Sequence, residues 1–201
     1  MKYTGPKVKL SRRLGIPMTP KAAKVMEKKP YGPGQHGRGG RYGGKMSDYK
    51  RQLLEKQKLR FQYNIHERQM LNYYKKAAQK SGNTSDNLIQ LLESRLDSVV
   101  YRSGLAPTIY AARQIVNHGH ILVNGKQVNL PAYQVQVDDV VTVKEKSRRM
   151  EVLQSSLRKA HPPKYLDLNK PTMTVKLQYL PLRDEVPVEC EMSSVIELYS
   201  R

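Results

Sequence analysis

Apolar and polar positions change rhythm several times along the chain, and each change marks an element. Ser47 is suited to cap a helix, with Asp48 favourable in its first turn. Tyr49, Leu53, Leu54, Lys58 and Phe61 then recur along one side, while Lys50, Arg51, Lys56 and Arg60 supply a basic opposite side. Asn64 followed by Glu67 has the spacing of a second cap with its reciprocal acid. Ile65, Met70, Leu71, Tyr73, Tyr74, Ala77 and Ala78 carry that helix to a stop at Gly82. Asn87 opens a strongly amphipathic helix through Leu88, Leu91, Leu92, Leu96, Val99 and Val100, closed by Gly104. Thr108 caps another, with Ile109, Ala112, Ile115 and Val116, ending near Gly119.

The period then shortens to two. Alternating residues from His120 to Val128 surround Asn124-Gly125, a strong hairpin signal. Tyr133–Val137 alternates as well, and Asp138-Asp139 turns the chain into Val140–Val143. Two helices followed by a small antiparallel sheet predict a compact α+β unit over 87–145. Beyond it, residues 148–160 read as a helix ended by His161-Pro162-Pro163. Met173, Val175 and Leu177 read as a strand, and 193–199 as a helical tail that docks on the helical part. Residues 1–46 hold no sustained apolar period. Pro6, Pro17, Pro20, Pro30 and Pro33 interrupt them, leaving one short helix at 20–28 in an arm expected to be extended or partly ordered.

Charge changes this picture most. Of 201 residues, 36 are Lys or Arg and 17 are Asp or Glu, a net charge of +19. Residues 1–46 carry +11, 47–80 carry +6, 81–150 carry +2 and 151–201 none. Self-repulsion on that scale is usually maintained for a polyanionic partner, RNA, DNA or an anionic membrane. No apolar run is long enough for a membrane helix, and the first residues lack a signal-peptide core. The basic arm has no apolar helix face, which disfavours a membrane. Cys190, the one cysteine, rules out an intrachain disulfide, fits a reducing compartment and reads as a buried small apolar residue. Thirteen Tyr with no Trp suits stacking on bases and core filling alike.

One stretch imitates a nucleotide site. Gly39, Gly44 and Lys45 match the skeleton of a phosphate-cradling loop. Met46 stands where such loops place the hydroxyl that holds magnesium, and two prolines and two glycines precede it where a strand is required. Seven of the thirteen residues 32–44 are Gly, a composition that buries little and is ordered by a partner. Ser47, Asp48 and His66 exist as residue types, but no motif brings them together as a catalytic set.

Certain blocks carry a resemblance. Asn87-Leu88, Glu93-Ser94-Arg95-Leu96-Asp97, Ala112-Arg113-Gln114 and His118 to Gly125 resemble the small RNA-binding domain named after small-subunit ribosomal protein four. That domain also occurs in RNA-modifying enzymes and a tyrosyl-tRNA synthetase. The flanks narrow the choice: Gly5-Pro6-Lys7, Leu10-Ser11-Arg12-Arg13, Pro33 to Gly37, Ser47-Asp48-Tyr49, Glu55 to Lys58, Glu67-Arg68-Gln69 and Glu197 to Arg201 resemble the bacterial-type ribosomal family itself, in order along the whole chain.

The resemblance implies an α+β protein. A basic arm at 1–46 precedes a helical domain at 47–86, completed by 178–201, with an RNA-binding domain inserted at 87–177. It implies a primary rRNA-binding protein that binds a multi-helix junction in the 5′ domain and starts assembly. It further implies contact with small-subunit protein number five, a bearing on decoding accuracy, and a place at the channel by which mRNA enters. The setting is a ribosome of the cytoplasm or of a plastid, with no small-molecule substrate. Many relatives hold zinc on four N-terminal cysteines, which this chain lacks, so no metal and no cofactor are expected. The glycine stretch then touches RNA phosphates, not ATP.

Expected RNA contacts in the first eighty residues are Lys7, Lys9, Arg12, Arg13, His36, Arg38, Arg41, Lys45, Lys50, Arg51, Lys56, Lys58, Arg60 and Arg68. In the inserted domain they are Arg95, Arg113, His118 and Lys126. Leu92 and Leu96 set the buried face, which leaves Arg95 to reach phosphate, the alternative being an ion pair one turn away. Arg113 can hold phosphate at two points, whereas Asp97 reads as structural. An enzyme using the same domain for docking would need a further catalytic domain for which the length leaves no room. A free RNA-binding regulator would have no reason to carry the flanking motifs.

Overall fold

The computed structural model describes residues 3–35, 37 and 46–200. The chain divides into two compact units, Met1–Tyr74 with Val188–Arg201, and Lys75–Pro187.

In the first unit, Lys7–Leu14 forms α1 and Pro20–Lys28 forms α2. The first was not foreseen, so the described part of the arm is helical over much of its length. Leu10, Leu14, Ile16 and Met18 are buried together, with Tyr3, Leu54 and Phe61 against them. The apolar residues straddle a helix end, which hides them from a helical-period search. Thr19 caps α2, its hydroxyl accepting from the Ala22 N–H at 3.2 Å. α3, Asp48–Gln62, starts at Ser47 as expected, with the hydroxyl accepting from Lys50 N–H at 3.3 Å. The C-terminal helix α9, Met192–Ser200, packs along α3. Tyr199 stacks on Tyr74 at 5.1 Å between ring centroids, and Gln62 exchanges hydrogen bonds with the Glu189 backbone in both directions. Cys190 is half-buried, its Sγ 3.5 Å from Met192 Sδ.

α4 spans Glu67–Gln79. Asn64 does not cap it: that residue takes a left-handed φ of 49°, and Glu67 turns to other partners. The cap of α5, Thr84–Glu93, is Asn83, which accepts from Ser85 N–H at 2.9 Å. Asn87 is instead buried, and its amide donates to the carbonyls of Ala77, Lys80 and Ser81. Those are orphan acceptors at the end of α4. This bond explains why the division falls at 74/75 rather than at the expected 86/87. The later boundary likewise lies at 187/188, not 177/178.

The long amphipathic helix expected from Asn87 is two helices, α5 and α6, the latter Leu96–Arg102. Arg95 between them is extended, φ −67° and ψ 140°. α7, Ile109–Asn117, is capped by Thr108, which accepts from Ala111 N–H at 3.2 Å. Gly104 ends the α6 segment at φ +79°, and a Cβ there would lie 2.4 Å from that of Ala160. Glycine is required both for the turn and for the approach of α8, Glu151–Arg158.

The sheet joins β1 (Ile121–Val123), β2 (Lys126–Gln127), β3 (Val140–Val143), β4 (Leu166–Asn169) and β5 (Thr174–Leu177) in the order β2-β1-β3-β5-β4. Every neighbouring pair is antiparallel. Register sets one apolar face: Val141 lies opposite Val123 and Val175, Val143 opposite Ile121, and Leu177 opposite Leu166. Thr142, Thr174, Lys176 and Asp167 occupy the other face, as a half-solvated sheet requires. Tyr133–Val137, expected as a strand, contributes a single bridge between Gln134 and Arg95.

Candidate nucleic-acid interface

The loop at 130–137 builds the start of α6. Tyr133 and Pro131 carbonyls accept from Leu96 and Asp97 N–H at 2.8 and 3.2 Å, and Val135 N–H donates to Ser94 at 2.7 Å. These bonds hold Arg95 extended and direct its side chain inward. Its Nε meets Asp97 Oδ1 at 3.0 Å and a terminal nitrogen meets Oδ2 at 2.6 Å. Both residues are fully buried. Arg95 therefore presents nothing to a phosphate, and the sequence expectation for it is corrected. Arg113 reaches the same carboxylate at 3.5 Å with its side chain only 12% exposed, so it too is turned from the surface. Burial pushes the Asp97 carboxyl above its ordinary range, against the pull of the Arg95 and Arg113 charges. Glu93 repeats the design: Arg102 donates to it at 3.0 Å and the Tyr165 hydroxyl at 2.8 Å.

The hairpin is what this scaffold presents. Asn124 and Gly125 take φ of 49° and 79°, the left-handed pair a two-residue turn needs. Asn124 Nδ2 donates to Asp139 at 2.7 Å and its Oδ1 accepts from Val140 N–H at 2.9 Å, fixing the turn to β3. Lys126 and Gln127 stand exposed beyond it. Gly119, at φ +70°, lets Gln127 approach: a Cβ there would sit 2.2 Å from Nε2. Lys144 Nζ holds Gln127 Oε1 at 2.5 Å. His118 is exposed, whereas His120 packs its Nδ1 2.9 Å from Ser147 Oγ. Lys126 and His118 are thus placed as expected. Lys146 and Arg149, also exposed after β3, were missed by motif reasoning, although their bare charge was visible.

In the first unit Lys9, Arg13, Lys50, Arg51 and Arg68 are exposed. Lys7 donates to the Tyr3 carbonyl and lies 4.7 Å from that ring. Arg12 donates to the Tyr31 and Gly32 carbonyls at 3.1 and 3.0 Å, so it holds a loop. Three expectations are corrected. Lys56 pairs with Glu67 at 2.7 Å, its side chain 11% exposed. Lys58 pairs with Glu55 at 2.6 Å, and Arg60 donates to Gln57 and lies 3.8 Å from Glu67. Their neighbouring carboxylates, one turn or one helix away, take the charges inward. His36, Arg38, Arg41 and Lys45 lie outside the described residues. Exposed Lys75, Lys76 and Lys80 on and after α4 extend the basic surface of the second unit.

Comparison with known proteins fits this arrangement. The ribosomal protein S4/S9 N-terminal domain family matches residues 2–93 and the S4 domain matches residues 94–141. Small ribosomal subunit protein uS4 of Streptomyces avermitilis is 47% identical over 98% of this chain and 97% of its own length. The chain belongs to the uS4 family. The uS4 proteins of Chlorobaculum tepidum and Thermobifida fusca are each 44% identical across the whole of this chain, covering 99% and 100% of their own lengths. Within uS4, the Arg95–Asp97–Arg113 cluster falls inside the matched S4 domain, where it shapes the fold beneath the hairpin. Among the described residues no helix is long and apolar enough to cross a membrane.

Proposed function

We propose that this chain is a structural, non-catalytic component of the small ribosomal subunit that binds rRNA. The observation that carries the reading is end-to-end similarity to uS4 proteins at 44–47% identity, together with a +19 charge borne largely by exposed Lys and Arg. Its RNA target is a multi-helix junction in the 5′ domain, and binding there starts subunit assembly. Small-subunit protein five is its neighbour, a contact bearing on decoding accuracy, and the chain lines the channel by which mRNA enters. It works in the cytoplasm. The supporting physics is charge neutralisation plus shape: rigid units place cations where a folded junction brings phosphates together.

The test is binding of the purified chain to the 5′ domain of small-subunit rRNA, against an unrelated folded RNA of equal length, at two salt concentrations. A preference for the rRNA that persists at the higher salt is expected. Equal affinities that collapse together would leave a generic polycation and overturn the reading.

A further inference from the structure

Between α1, α3 and the loop at 30–32 lies a cleft of about 550 Å³, in the range that accommodates a small organic ligand. Its walls differ in chemistry. Arg13 of α1 and Arg51 of α3 both line it. Arg13 is exposed and has no ion pair among the described residues. Arg51 has one partner, Asp48 at 3.6 Å, with the two side chains 57% and 80% exposed, a pair that solvent already weakens and a phosphate can displace. Tyr31, Leu14, Leu54 and Met46 supply an aromatic and apolar wall. The one carboxylate lining it, Glu55, is neutralised by Lys58 at 2.6 Å and accepts from Glu191 N–H at 2.9 Å. Arg12 positions the wall: besides holding two loop carbonyls, its guanidinium lies 5.0 Å from the Tyr31 ring centroid.

Guanidinium groups and an aromatic–aliphatic wall around one cleft are complementary to a phosphate and the base attached to it. Bases inside a duplex are stacked and closed to such a wall, whereas an unpaired base is free to stack on it. We propose that this cleft receives one unpaired ribonucleotide of the bound RNA, its phosphate on Arg13 and Arg51 and its base against Tyr31. The inference rests on the rRNA-binding reading above and adds a single-nucleotide site to it.

The experiment uses the full chain and 5′-domain rRNA carrying 4-thiouridine. In the Arg13→Ala/Arg51→Ala double variant, affinity is expected to fall by about tenfold or more. The slope of log affinity against log salt should shrink by about 1.5, from two lost phosphate contacts. Arg13→Lys/Arg51→Lys should restore the slope. Tyr31→Ala should weaken binding several-fold with the slope unchanged, and the wild-type crosslink should map to the peptide containing Tyr31. Circular dichroism melts should match wild type for the exposed arginine variants. Unchanged affinity and slope in the double variant, while wild type still prefers the rRNA, would overturn the cleft and leave the rRNA reading intact. A wild-type chain that binds both RNAs alike would overturn both. Micromolar binding of free AMP or GTP with undiminished rRNA affinity in the variants would assign the cleft to a free nucleotide and overturn the proposal.

Discussion

Arg95 grips Asp97 at two points, 3.0 and 2.6 Å, where neither residue meets solvent. Removing one partner of such a pair leaves a charge uncompensated in a low-dielectric interior. Arg95→Ala should therefore cost about 3–5 kcal/mol of stability, read as a lower urea midpoint. Arg95→Lys should recover only part of it, because an ammonium cannot match the two carboxylate oxygens. A loss under about 1 kcal/mol accompanied by weaker RNA binding would return Arg95 to the role of phosphate ligand.

The same pair shows where sequence reasoning stops. Caps at Ser47 and Thr108, the Asn124-Gly125 hairpin and the docking tail are local or periodic signals, and all were legible. Arg95 was misread because its neighbours Leu92 and Leu96 were assigned to one continuous helix. The break between α5 and α6 comes from backbone bonds to Tyr133, Pro131 and Ser94, made by a loop some forty residues on in the chain. Asn87 was misread for a related reason: its partners lie on the preceding helix. Lys56, Lys58 and Arg60 looked like a basic face because net charge is visible in sequence and carboxylate pairing across helices is not.

Gln52 is fully buried in α3, and neither its Nε2 nor its Oε1 has a hydrogen-bond partner. An unsatisfied buried amide is costly, whereas an apolar group of similar size is not. Gln52→Leu is expected to stabilise the chain by about 1–2 kcal/mol, seen as a higher denaturant midpoint. A lower midpoint would mean that the amide has a partner in solution.

Glu67 makes the first unit sensitive to acid. Burial opposes its ionisation, but hydrogen bonds from Lys56 and Tyr199, and the Lys56 and Arg60 charges, outweigh it and hold the carboxyl below its ordinary 4.5. A depressed folded value means that the stabilisation is fully present above the unfolded value. It is lost as pH falls through the folded one. The melting temperature of wild type should therefore decline below about pH 4.5 more steeply than that of Glu67→Gln. Parallel declines would show that Glu67 gains nothing from its partners. Tyr199 donates to the same carboxylate at 2.8 Å, so Tyr199→Phe should blunt the dependence in the same direction.

Lys126 and Lys56 carry the same charge and should behave as opposites. Lys126 stands exposed at the hairpin, with no salt bridge among the described residues. Lys56 spends its charge on Glu67 at 2.7 Å. A phosphate ligand contributes to the salt dependence of RNA binding, roughly 0.7–0.9 in the logarithmic slope per contact. A lysine already paired within the protein releases no RNA counterion when it is removed. Lys126→Ala should thus weaken rRNA binding a few-fold and shallow the slope by about 0.7–0.9, with an unchanged melting temperature. Lys56→Ala should lower stability by about 1 kcal/mol and leave the slope as it was. Paired salt titrations and thermal melts of the two variants decide it. A slope change on losing Lys56 would mean that RNA pulls this lysine from its carboxylate, and no change on losing Lys126 would remove the hairpin from the RNA-binding surface.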